Sequence, residues 1–327
     1  MYLNGLYYFG TINPPSPFCQ QPVNENCGGV FAMAADGDVV HSLNVQDGFR
    51  SWIGAGLTSD GQFIYAGGSE QFLGATDADF YYGCSVVKLD PQLHILASFD
   101  PGDRGCHSTG VGGNDEDAVA GEVIIAADGS LWTLFTHGVD SRNMFALYHL
   151  DANLQPMCVF ELQGGPLPMV GYYQSPTIDK DGNVYVNMMP AGISSGSGQL
   201  WKVTPGCQGA QLATLPQGGT STPVLADDRY VLTIAGGQLH IRDLSGNVVK
   251  TYALASQATV ATSPLLADGV MYVVDVTGSL TVIRNSGLQG YGMAAWPRYR
   301  HDNSGSGLQR VGLQTPLPRV FLPLITN

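Results

Sequence analysis

Apolar residues along this chain come in short runs broken by Gly, Asp, Asn and Pro, a pattern of many short strands and many turns. One arrangement recurs: a short apolar strand, a turn of Asp-Gly type, then a strand containing an aromatic residue. It stands at Gly56–Tyr65, Glu122–Trp132, Ser175–Tyr185, Thr222–Tyr230 and Ser263–Tyr272. Asn4-Gly5-Leu6-Tyr7 forms the second half of a sixth copy. Asp-Gly and Asn-Gly supply the positive φ that tight hairpin turns require, so each copy predicts a β-hairpin. The aromatic anchors Tyr7, Tyr65, Trp132, Tyr185, Tyr230 and Tyr272 are 58, 67, 53, 45 and 42 residues apart. Strands that recur while the connections vary in length predict a propeller with insertions on one rim.

A second element lies on the outer half of each unit. Asp90, Asp151 and Asp243 each end an apolar strand and precede Phe99, Phe160 and Tyr252 by nine residues. Aspartate there caps a turn by bonding nearby backbone amides, and the later aromatic is expected to close the blade against its neighbour. The fourth unit departs from the pattern, with Thr204 in place of the aspartate and no aromatic partner. Six units of four strands predict an all-β propeller of about six blades, in a parent ring of six, seven or eight. The first unit is expected to lack its innermost strand.

Composition narrows the class. The chain has 327 residues, 44% hydrophobic and only 13% charged, with 43 glycines, which excludes both a disordered chain and a helical bundle. Its net charge of −13, with four lysines, argues against nucleic acid or an anionic membrane as partner. No apolar stretch is long enough to be a transmembrane helix. Met1–Tyr8 has neither the basic start nor the cleavage site of a signal peptide and reads as strand, in keeping with a trimmed or incomplete chain.

The six cysteines are Cys19, Cys27, Cys84, Cys106, Cys158 and Cys207, with no Cys-x-x-Cys pair among them. Metal-cluster and thioredoxin-type chemistry therefore lose support. Six cysteines admit fifteen pairings. Local pairing favours Cys19–Cys27 and Cys84–Cys106 and leaves Cys158–Cys207 by elimination; buried free thiols are the alternative. Disulfides would place the protein in the cell envelope or outside the cell.

These repeats resemble the PQQ-like (quinoprotein-type) β-propeller repeats, which include the outer-membrane assembly lipoprotein propellers. The run Trp296-Pro297-Arg298-Tyr299-Arg300-His301-Asp302 is similar to the Trp-Pro-x-Phe-x-His-Asp motif that often flanks such propellers. The resemblance covers residues 4–306 and implies one propeller domain over 1–306. Residues 307–327 remain as a tail, whose run Arg319-Val320-Phe321-Leu322-Pro323-Leu324 is similar to the short apolar tails of some exported bacterial proteins, or as a strand that closes the ring.

Propeller sites usually sit at the channel mouth, lined by residues just before each innermost strand. That places Arg50, Ser51, Trp52, Asn114–Asp117, Tyr172, Tyr173, Gln174, Thr220, Ser221, Thr259 and Thr262 there, with Arg298, Arg300 and His301 expected near the same face. The ligand candidates are Arg50, Trp52, Asn114, Asp115, Tyr172, Tyr173, Gln174 and His301. Asp115, Glu116 and Asp117 form an acidic cluster able to ligate Ca²⁺, or else a solvated loop. Asp179-x-Asp181-Gly182 starts like a calcium loop, but the remaining ligands are absent and turn chemistry explains it. His107 and Ser108 are neighbours and cannot pair as base and nucleophile, and no Gly-x-Ser-x-Gly elbow exists. His41, His94, His149 and His240 fall in strand patterns, as edge or core residues.

The resemblance implies Ca²⁺ and PQQ as candidate cofactors, with Trp52 and the acidic cluster as the positions they would use. No adjacent cysteine pair accompanies them, and no motif assigns a catalytic role. The sequence therefore reads as an exported, non-catalytic module, monomeric, that binds a protein or glycan on the channel-mouth face. A Ca²⁺-assisted quinoprotein-type dehydrogenase acting on sugars or alcohols is the alternative.

Overall fold

Aspartate-capped turns set the strand boundaries. In a computed structural model, which describes residues 1–11, 28–44, 56–68, 86–99, 119–120, 122–139, 142–166, 175–188, 198–216, 221–255, 263–275 and 277–298, Asp90, Asp151, Asp179 and Asp243 share one geometry. In each, Oδ1 accepts from the backbone N–H groups two and four residues on, at 2.7–2.9 Å. Asp179 thus belongs to turn chemistry. Thr204 fills the same place in the fourth unit, its Oγ1 accepting from Gln208 N at 3.3 Å. The short polar side chain bonds the tight turn that a returning strand needs.

Six antiparallel sheets follow one another along the chain. Blade I holds β1 (Tyr2–Leu3), β2 (Leu6–Thr11), β3 (Gly29–Met33) and β4 (Val39–Leu43). Blade II holds β5 (Leu57–Ser59), β6 (Ile64–Gly67), β7 (Val86–Leu89) and β8 (Ile95–Phe99). Blade III holds β9 (Val119–Ala120), β10 (Ile124–Ile125), β11 (Leu131–Val139), β12 (Arg142–Leu150) and β13 (Pro156–Pro166). Both β9 and β10 lie along β11, so together they form one interrupted inner strand. Blade IV holds β14 (Thr177–Ile178), β15 (Val184–Met188), β16 (Gly198–Val203) and β17 (Gly209–Leu215). Blade V holds β18 (Val224–Ala226), β19 (Tyr230–Ala235), β20 (Gln238–Asp243) and β21 (Val248–Ala253). Blade VI holds β22 (Leu265–Ala267), β23 (Val270–Val274) and β24 (Leu280–Ile283). This is the β-propeller architecture of about six blades.

Two expectations need correction. The first unit does have an innermost strand: Tyr2 and Leu3 pair with Tyr7 and Leu6 across the Asn4-Gly5 turn, with φ of 50° and 89°. The three-stranded sheet among the described residues is blade VI. The anchor of the first unit is also Tyr8 and not Tyr7. Tyr8 is buried and its hydroxyl donates to Pro91 O of blade II at 2.9 Å, while Tyr7 is 46% exposed. Tyr8 follows Gly5 by three residues, as Trp132 follows Gly129 and Tyr185 follows Gly182, and its neighbour Tyr7 falls on the other face of the strand.

Packing joins successive blades through apolar side chains of alternating strand positions. Leu3, Tyr8 and Val30 meet Leu57, Ile64 and Leu89 between blades I and II. Phe99 reaches Phe135 and Tyr148 of blade III, and Phe160 reaches Trp201 of blade IV, so these aromatics close each blade on its neighbour. Phe160 takes the space a Cβ would need at Gly209, so only glycine fits there. Leu232, Ile234, Leu239 and Ile241 of blade V pack on Leu266, Met271 and Ile283 of blade VI.

Candidate functional site

Antiparallel order sends alternate connections to opposite ends of every blade. At one end, the first-to-second and third-to-fourth strand connections are tight turns of two to five residues. From the other end of the strands leave the second-to-third connections and the links to the next blade, and every connection longer than five residues is among them. The starts of the innermost strands are tied together at this end. Ser175 N donates to Thr222 Oγ1 at 3.0 Å, Ser263 Oγ donates to Thr222 O at 2.7 Å, and Asn187 Nδ2 donates to Ser221 O at 2.6 Å. Ser221 and Thr222 are buried, so they join blades IV, V and VI instead of facing a ligand.

The channel side of β14 and β18 is occupied by the chain itself. Ile178 and Trp296 exchange both backbone hydrogen bonds, at 2.8 and 3.1 Å, on the edge of β14 that β15 leaves free. Pro297 O accepts from Leu225 N at 2.8 Å, and Gly290 O accepts from Asp227 N at 2.9 Å. Trp296 is fully buried in the core shared by blades II, III and IV. Residues 290–297 therefore line the inner strands of blades IV and V.

A cleft of about 210 Å³ opens at the tight-turn end, between blades III and IV. Asp128, Ser130, Trp132 and His149 line one side, and Lys180, Asp181, Gly182 and Pro205 the other. The β11–β12 register sets Trp132 opposite His149, and their rings stack at 4.1 Å with planes 5° apart. His149 Nδ1 lies 2.9 Å from Pro205 O, its Nε2 lies 2.9 Å from Ser130 Oγ, and Ser130 Oγ lies 2.7 Å from Asp128 Oδ1. The one hydroxyl proton of Ser130 thus faces two acceptors, the carboxylate and the imidazole. Burial works against the Asp128 carboxylate, yet the hydrogen bonds from Ser130 hold its carboxyl below the ordinary range. Burial pushes His149 below the ordinary imidazole value, with Pro205 O and the Asp128 charge pulling the other way.

Ser130 is buried and bonded on both sides, so this network braces the blade III–IV junction and does not present a free nucleophile. Lys180 and Asp181 at the rim pair at 2.7 Å, which neutralises their charges locally.

A pH dependence follows. His149 is held neutral in the fold, so the unfolded chain binds the extra proton first as pH falls through about 6.5. Its contribution is level above that value and becomes increasingly destabilising below it. Urea melts from pH 8 to pH 5 should show a steeper loss of stability in the wild type than in His149→Gln. Parallel pH profiles would refute this assignment.

No family model and no curated protein matches the chain. Among solved structures it is similar to a Bacteroides caccae protein of unknown function, at 12% identity over 89% of this chain and 97% of that one, with a TM-score of 0.46. It is also similar to regucalcin, a calcium-binding protein of Agrobacterium tumefaciens, at 12% identity over 86% and 92%, with a TM-score of 0.43. A quinonprotein alcohol dehydrogenase-like protein of Bacteroides thetaiotaomicron shares 14% identity over 89% of this chain and 65% of its own, with a TM-score of 0.46.

The ligand candidates Arg50, Trp52, Asn114, Asp115, Tyr172, Tyr173, Gln174 and His301, and the metal candidates Asp115, Glu116 and Asp117, lie outside the described residues. Among the described residues, no group of three or more His, Cys, Asp or Glu side chains is placed to hold a metal ion. Cys158 and Cys207 form a disulfide, and Cys19, Cys27, Cys84 and Cys106 lie outside the described residues. Of the strand histidines, His149 is a core residue, His41 and His240 are half-buried, and His94 is exposed. Sequence reasoning missed the Asp128–Ser130–His149 network, although its signal was present. In a hairpin spanning Trp132 to His149, the Asp128 turn sits beside the histidine.

Proposed function

We propose that this chain is an exported propeller of the PQQ-like repeat type that binds a protein or glycan partner at the channel mouth where the long connections leave the strands. The observation that carries the reading is the asymmetry of the two ends. One end is built from tight turns of two to five residues, most of them capped by aspartate, while every longer connection belongs to the other. Variable connections on a rigid scaffold are where binding residues concentrate. The segment 290–297 along β14 and β18 directs a ligand to the mouth and away from the bore. The Cys158–Cys207 disulfide supports an oxidising compartment.

A variant with Asn114, Asp115, Glu116, Asp117, Tyr172 and Tyr173 all replaced by alanine tests the reading. On a glycan array and a display library of extracellular proteins, hits of the wild type should weaken at least about tenfold in the variant, roughly 1.4 kcal/mol. Its melting temperature should stay unchanged. Undiminished binding by a folded variant would remove the mouth as the site.

A further inference from the structure

The cleft between blades III and IV has a floor of buried groups and an acidic rim. Ser130, Trp132 and His149 are buried, while Ala127, Asp128, Lys180, Asp181 and Pro205 stand exposed around them. Its volume of about 210 Å³ is below the roughly 300–1,000 Å³ of pockets for drug-sized ligands, so it suits a single side chain. Charge sets the sign of the guest. Lys180 is the one ammonium among the lining residues, and its hydrogen bond and ion pair with Asp181 hold it above the ordinary lysine value. The charges of Asp179 and Asp228 act on the same lysine from neighbouring turns. Four carboxylates, Asp128, Asp179, Asp181 and Asp228, thus surround one ammonium, and His149 is neutral. Hydrogen bonding points the same way. Every hydrogen bond that Asp128 accepts among the described residues falls on Oδ1, from Ser130 N at 2.9 Å and Ser130 Oγ at 2.7 Å, which leaves Oδ2 of an exposed carboxylate open. The floor is also one proton short. Pro205 O can only accept, so His149 Nδ1 carries its hydrogen there, and the Ser130 hydroxyl proton cannot serve both Asp128 Oδ1 and His149 Nε2. A guest that brings N–H donors to Asp128 releases that proton to Nε2.

We propose that this cleft binds a lysine or arginine side chain of a peptide partner, whose cationic head bonds Asp128 Oδ2 while its stem lies on Ala127 and Pro205. The site belongs to the tight-turn end and does not rest on the binding proposed at the channel mouth. Long basic side chains suit it because their methylene stems cover apolar surface while the head meets a carboxylate. Other guests are disfavoured. Asp128 and Asp181 repel a carboxylate, and an apolar side chain would desolvate Asp128 without pairing it. Lys180 carries the same kind of head as the guest and competes with it for the acidic rim, so the two charges of the cleft have opposite effects on affinity.

NMR titration of the full chain tests this. Amide shifts of 129–132 and 181–183 should saturate with a millimolar Kd when N-acetyl-lysine-methylamide or N-acetyl-arginine-methylamide is added, and the norleucine and glutamate derivatives should give no saturable shift up to about 20 mM. Asp128→Asn should weaken binding at least about tenfold. The asparagine Oδ1 can still accept from Ser130 N and Oγ, so the turn and the melting temperature should persist. Lys180→Gln should instead tighten binding about two- to fivefold at low salt, because it removes the competing ammonium. Undiminished affinity in folded Asp128→Asn would overturn the proposal, as would weakening by both variants alike or the absence of a saturable shift with both basic derivatives. Saturation by spermidine with no response to either derivative would overturn it too, because the guest would then be a free polyamine.

Discussion

Replacing Trp296 with alanine should destabilise the protein by about 3–5 kcal/mol, the range for removing a large buried aromatic. Trp296 is fully buried in a core that draws side chains from blades II, III and IV, and its backbone is bonded to Ile178 in both directions. The loss therefore combines a cavity among three blades with a weakened hold of residues 290–297 on β14 and β18. Met293→Ala is the control: that side chain is 73% exposed in the same segment, and its removal should change stability by less than about 0.5 kcal/mol. Urea midpoints at a constant m-value measure both variants. A loss below about 1 kcal/mol for Trp296→Ala would mean that the segment does not brace the inner strands.

The second large effect is expected at the disulfide. Cys158 and Cys207 are 49 residues apart and join β13 of blade III to the turn ahead of β17 in blade IV. Closing a loop of that length removes unfolded-state entropy equivalent to about 4 kcal/mol, within the usual 2–5 kcal/mol for native disulfides of small domains. The bridge also stands next to the His149–Pro205 contact, with the Cys158 sulfur 3.6 Å from the same Pro205 carbonyl oxygen. Cys158→Ala/Cys207→Ala should lower the urea midpoint accordingly under non-reducing conditions. It should also bring the blade III–IV cleft nearer to solvent, read as faster exchange at the amides of 147–150. A double variant as stable as the wild type would show that the two blades are held by packing alone.

Much of the fold was legible in local chemistry. Asp60, Asp128 and Asp179 announce their hairpins because a carboxylate two residues from an amide is a strong turn former. Gly61, Gly129 and Gly182 take up the positive φ of 94°, 86° and 81° that those turns demand. Phe99 and Phe160 were recognisable as blade-closing aromatics because their distance from the preceding aspartate is constant. Tyr7 misled because two tyrosines stand in succession there: Tyr8, three residues after Gly5 as Trp132 is after Gly129, takes the inward face, and successive residues of a strand face opposite ways. The candidate site was far less legible. Residues such as Asn114 and Tyr172 were chosen by position before a strand, whereas the one position of that kind the structure describes in full, Ser221, is buried and bridges two blades.

By itself the sequence determined the class of the molecule, the number of repeats and the places of most turns, because those follow from φ preferences, period-two alternation and side chains that bond their own backbone. The tertiary structure alone decided which residues meet across blades. Trp296 against Ile178 and Ser130 against His149 depend on how segments far apart in the chain are set side by side. No local propensity carries that information, since burial and hydrogen-bond partners are properties of the packed blades and not of any one strand.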